Sequence, residues 1–127
     1  MKKIFVLFFL IIGLGCRKDK LHNAQKDIIG SWELRKSEGG IGGTIVYPPG
    51  NGNIYQFNSD GSYNHITMLS AETGIYQLMQ SSTSGQWLLK MISSGVGTHS
   101  VTIDDNQLVF LPDSPCCDQP TDTYSRL

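Results

Sequence analysis

Cysteine is scarce, with three in 127 residues, and two of the three are adjacent at Cys116-Cys117. Neighbouring cysteines rarely join each other, because a relaxed disulfide holds its Cα atoms about 4.4–6.8 Å apart. A trans peptide bond fixes them at about 3.8 Å. A strained vicinal bridge, a reduced pair and a metal or redox site are the three readings of these two thiols, and a loop staple or inert pair is favoured. Histidine is equally sparse, and His22, His65 and His99 show no metal-ligand spacing, so no metal is expected. The chain has no G-x-S-x-G, no H-E-x-x-H and no phosphate-binding glycine loop. Gly39–Gly43 is glycine-rich but lacks the following lysine and helix start, so neither an enzyme nor a cofactor is expected. Positive charge is thin as well. Residues 28–127 carry four basic side chains, Arg35, Lys36, Lys90 and Arg126, against nine acidic ones. That balance has no electrostatic footprint for nucleic acid.

There is also no apolar run long enough to span a bilayer, which takes roughly 20 residues. The one sustained run is Ile4 to Gly15, preceded by Lys2 and Lys3. A charged start and a short apolar core mark a secretory signal. The run stops at Gly15-Cys16, a small residue directly before cysteine. This resembles the lipobox of bacterial lipoproteins, with Gly13 where leucine is usual. The resemblance implies that residues 1–15 are cleaved and that Cys16 is acylated as the new N-terminus. It further implies a place in the cell envelope, lipid-anchored to the outer membrane, on its periplasmic or outer face.

What remains after residue 15 suits one compact domain. Residues 16–27 are polar, hold Arg17, Lys18, Lys20 and Lys26, and read as a solvated tether. Leu21, Ala24 and Ile28 share one face at helical spacing, which predicts a short helix at its end. From Trp32 the period changes to two. Trp32 and Leu34 alternate with Glu33 and Arg35, Tyr55 with Phe57, Tyr76 with Leu78, and Trp87 with Leu89 and Met91. Strands are predicted around each of these, and at residues 44–47, 100–103, 107–111 and 121–127. Asn58-Ser59-Asp60-Gly61 and Asp104-Asp105-Asn106 supply tight turns, and residues 39–52 form a long glycine- and proline-rich excursion. Short strands at even spacing predict an all-β fold, either an antiparallel barrel or a β-sandwich.

Gly30-Ser31-Trp32 opens the first strand, Phe57 to Tyr63 forms an F-x-x-D-G-x-Y hairpin, and the chain ends on Tyr124-Ser125-Arg126-Leu127. Over residues 28–127 this resembles the small lipocalin-like lipoproteins of bacteria. The resemblance implies an up-and-down barrel of about eight strands, with Trp32 plugging its closed end. It also implies Gly30 beside that plug and Arg126 packed across the indole.

Alternation then places Tyr55, Tyr63, His65, Tyr76 and Trp87 on inward faces, as candidate walls of a ligand cavity opposite Trp32. The 39–52 excursion lies near the mouth as a candidate lid. Two functions fit. One is a membrane-anchored monomer that binds a small hydrophobic or amphipathic ligand, such as a fatty acid or small aromatic molecule. The other is a tethered interaction module that presents loops to a protein or glycan and holds no ligand.

Overall fold

The computed structural model describes residues 23–113 and 118–127. Cys16 and the Cys116-Cys117 pair lie outside the described residues. A short helix, α1 (23–28), precedes nine strands. They are β1 (Gly30–Glu38), β2 (Thr44–Val46), β3 (Ile54–Phe57), β4 (Ser62–Ile66), β5 (Ala71–Gln80), β6 (Trp87–Ile92), β7 (Val96–Ile103), β8 (Gln107–Phe110) and β9 (Thr121–Arg126). All pairings are antiparallel, and β1 pairs with β9 as well as with β3. The sheet therefore closes into a lipocalin-like barrel of eight strands, with β2 as an extra. A sandwich would leave β1 and β9 as separate edges. Their pairing removes those edges and decides between the two predicted folds.

β2 and β3 share one edge of β1. β2 lies opposite Lys36–Glu38 and β3 opposite Gly30–Glu33. Between them Tyr47 N donates to Arg35 O at 2.8 Å, and Leu34 N donates to Asn53 O at 2.9 Å. The two are thus one barrel strand from which residues 48–52 are looped out. Pro48 and Pro49 cannot donate to a ladder, and Gly50 and Gly52 take φ of 79° and 80°. This part of the excursion is no lid. It is pinned to the outer wall by Glu33, which alternates outward between Trp32 and Leu34. Glu33 accepts from Gly50 N at 3.1 Å and Gly52 N at 3.4 Å, and pairs with Arg35 at 2.8 Å. The Asn51 side-chain amide donates to Leu34 O at 2.7 Å. Buried under the loop, the Glu33 carboxylate is only 2% exposed, and its partners offset the desolvation.

Helix α1 lies across the closed end. Ile28 and Trp32 are fully buried, Ala24 is nearly so, and Trp32 Nε1 donates to Ile28 O at 2.8 Å. The domain consequently begins earlier than residue 28. The last turn of the expected tether is a plug, because its apolar positions lie over the barrel core. Each large apolar side chain so buried contributes about 1.5–3 kcal/mol. Strands β5 and β7 also begin earlier than the apolar alternation predicts. Their first turns pair through His65↔Glu72 and Met91↔Gly97, where the inward positions are polar or glycine.

Candidate functional site

The inward rows change character along the barrel axis. At the closed end they are Trp32, Phe57, Leu78, Val101 and Leu108, all buried. Halfway up, the rings of Tyr55, Phe110 and Tyr124 form a layer. Tyr55 stacks on Phe110 at 5.5 Å and meets Tyr124 edge-on at 5.4 Å. Above that layer the inward residues turn polar. A recess of about 340 Å³ opens there, lined by Tyr55, Tyr63, Glu72, Met91, residues 93–97 and His99. Glycine occupies two inward positions beside it, where neighbouring side chains pack close. A Cβ at Gly74 would meet the Tyr63 ring at 2.7 Å, and one at Gly97 would meet His99 Nε2 at 3.1 Å.

Several polar groups around the recess are paired with one another. Tyr63 Oη donates to Glu72 Oε1 at 3.3 Å, and Ser93 Oγ donates to the same oxygen. His65 Nε2 lies 3.0 Å from Asn53 Oδ1, and its ring stacks on Tyr55 at 3.9 Å with planes 9° apart. Across the mouth, Ser37 Oγ donates to Asp122 Oδ1 at 2.6 Å. Ser37 faces inward only because the β1–β9 register shifts between Leu34 and Lys36. Burial pushes the Tyr55 and Tyr124 hydroxyls well above the ordinary phenol range and raises Tyr63 too, so all three stay neutral donors.

Burial also lowers the pKa of His65 below 6.5, with the Glu72 carboxylate opposing the shift. Between that lowered value and 6.5 the unfolded chain binds a proton that the folded ring does not. Stability therefore falls as the pH is lowered through 6.5, and this contribution is fully lost below the folded pKa. We expect the His65 ring to titrate by NMR with a midpoint below 6.5. We also expect His65→Asn to flatten the fall in Tm between pH 7 and pH 5. A midpoint at or above 6.5 contradicts this account.

Of the five residues that alternation nominated, Tyr55 and Tyr63 line the recess, and His65 stands behind Tyr55. Tyr76 and Trp87 lie toward the other end, so the five do not share one cavity. Tyr76 packs edge-on against Phe57 at 5.0 Å and donates to Asn58 O at 2.8 Å. It borders a separate external groove of about 630 Å³ between α1 and β5. Trp87 sits opposite Gln80 and Val101. Period two names the face of a strand but not the height along the axis. Glu72, Met91, Ser93 and His99 were missed as lining residues, although each continues an alternation already visible, Glu72 through Gly74 to Tyr76 and His99 to Val101.

At the closed end Trp32 pairs directly with Arg126, whose guanidinium carbon lies 4.1 Å from the indole centroid. Arg126 also donates to the carbonyls of Asp105 at 2.7 Å, Ile29 at 2.9 Å and Asp27 at 2.5 Å. Gly30, at φ 136°, leaves room for it: a Cβ there would stand 2.7 Å from Arg126 Nη1. Among the described residues no three of His, Cys, Asp and Glu gather as metal ligands. Comparison with protein-family models, curated proteins and solved structures returns no match.

Proposed function

We propose that this is a lipid-anchored, lipocalin-like binding protein that holds a small hydrophobic or amphipathic molecule in the mouth of its barrel. The observation that carries the reading is the recess between the mid-barrel aromatic layer and the rim. It combines two tyrosines, a methionine and a few polar groups, and its volume of about 340 Å³ falls within the range of small-molecule sites. Mass spectrometry of organic extracts from the purified protein, with titration of an environment-sensitive fluorophore, tests it. We expect a co-purified small molecule or saturable dye binding, and the absence of both contradicts the reading.

The anchor rests on the sequence around Cys16. Cells fed radioactive palmitate are expected to label the wild-type protein and leave Cys16→Ser unlabelled. Equal label in both proteins contradicts acylation at Cys16.

One observation favours the second function, a tethered interaction module. Met68 and Leu69, at the β4–β5 turn, are 82% and 97% exposed, and Val96 is 67% exposed. These apolar tips surround the mouth, and exposed apolar clusters serve partner binding as well as ligand entry. A Met68→Ser/Leu69→Ser double variant separates the two. It retains dye binding if the recess is the site and loses a protein partner if the tips are.

A further inference from the structure

The inward-facing charges of this barrel are segregated by sign. Arg126 is held at the closed end by three backbone carbonyls and the Trp32 ring. The other described basic side chains of the strands alternate outward. Arg35 pairs with Glu33 beneath the outer loop, Lys36 pairs with Glu38, and Lys90 lies between inward Leu89 and Met91. The mouth is left with two carboxylates, Glu72 and Asp122. Among the described residues neither forms an ion pair, and Glu72 Oε2 accepts no hydrogen bond. His65 stays uncharged at neutral pH, because partial burial lowers its pKa.

Building on the binding reading above, we infer that the recess selects an organic cation. The ligand is a compact molecule with an aromatic or apolar body and a protonated or quaternary amine directed at Glu72. Two features of the recess favour a cation together. No lysine or arginine is among the residues that line it, so no fixed cation occupies the place of a ligand's ammonium. The Glu72 carboxylate is oriented by Tyr63 Oη and Ser93 Oγ on Oε1, which leaves Oε2 to receive the ammonium. Met91 is polarisable and nearly buried, and lines the wall for the apolar body.

A fatty acid would bring a second carboxylate toward Glu72 with no lysine or arginine in the lining to meet it. Like charges at short range disfavour the ionised pair. The recess therefore rejects the ligand class that an apolar barrel would otherwise suit. Its volume, near the lower end of small-molecule sites, also favours one ring system over a long chain.

The test uses three probes with the same naphthalene body: naphthylmethyl-trimethylammonium, naphthalenemethanol and naphthylacetate. Each is titrated calorimetrically at pH 7 and low salt into the full chain held in zwitterionic nanodiscs, with empty nanodiscs as the blank. We expect the ammonium to bind at least about tenfold more tightly than the acetate, with the alcohol between them. Salt is expected to weaken the ammonium alone. Glu72→Gln keeps an oxygen for Tyr63 and Ser93, and is expected to bring the three probes within about threefold of one another. Should that variant not fold, the wild-type order and its salt dependence decide alone. Equal affinities, a preference for the acetate, or an unchanged cation preference in folded Glu72→Gln overturns the inference and leaves the binding reading in place. No saturable binding of any probe overturns both.

Discussion

Trp32→Ala is expected to lower the stability of the barrel by about 3–5 kcal/mol, the range for removing a fully buried aromatic side chain. The indole is 0% exposed and is enclosed by β1, α1 and the side chain of Arg126. Its loss would open a cavity under Ile28 and leave the Ile28 carbonyl without its donor. The cost extends to Arg126. That guanidinium lies across the ring, and a desolvated cation over indole contributes about 2 kcal/mol. Urea titration followed by far-UV circular dichroism measures the loss directly. A double-mutant cycle with Arg126→Met isolates the pair, and a coupling energy of about 1–2 kcal/mol is expected. A loss below about 1 kcal/mol for Trp32→Ala contradicts its role as the plug.

Gly74→Ala is expected to cost about 1–3 kcal/mol, the range for overpacking a filled interior. Adding one methyl usually stabilises a strand glycine, because alanine has less backbone entropy to lose. Here the sign reverses. The new Cβ would collide with the Ile92 carbonyl oxygen and sit 2.7 Å from Tyr63 Cε1. The carbonyl is backbone, held in the β5–β6 ladder by the Ile75↔Ile92 pairing, so it cannot yield as a flexible side-chain end does. The Tyr63 ring lies across the glycine from the neighbouring strand, paired with it in register. Gly95→Ala is the internal control, since no atom lies within 4 Å of its Cβ position. We expect that change to stay within about 0.5 kcal/mol. Gly74→Ala should also weaken any ligand in the recess, because it displaces one of the walls. Equal stability of the two variants contradicts the close approach at Gly74.

The candidate site was half legible for a specific reason. Tyr55 and Tyr63 announce themselves because aromatic residues in alternation with Gln56 and Asn64 stand out. Glu72 and His99 face the same interior but read as surface residues, since a charged or polar side chain in a half-buried strand normally points to solvent. At the mouth of a barrel the inner face is itself wet. Polarity there no longer separates inside from outside, so the apolar alternation that predicts β5 and β7 starts several residues late. Ser37 is further hidden by the bulge in β1, which flips the parity of every later residue in that strand.

The local chemistry of the chain determined its strand periods, the Asn58–Gly61 turn, the single apolar run before Cys16 and the sparse positive charge. These depend on neighbours within a few residues, and pleat and turn geometry translate them directly into structure. The pairing of Trp32 with Arg126 is nearly a chain length apart, and the resemblance carried by Gly30-Ser31-Trp32 and the last four residues was needed to expect it. Only the tertiary structure decided that β1 meets β9, that residues 48–52 fold onto the outer wall over Glu33, and that Tyr76 and Trp87 stand at a different height from Tyr55. Closure sets strand stagger and the level of each side chain along the barrel axis. Those are properties of eight strands at once, and no alternation within one strand encodes them.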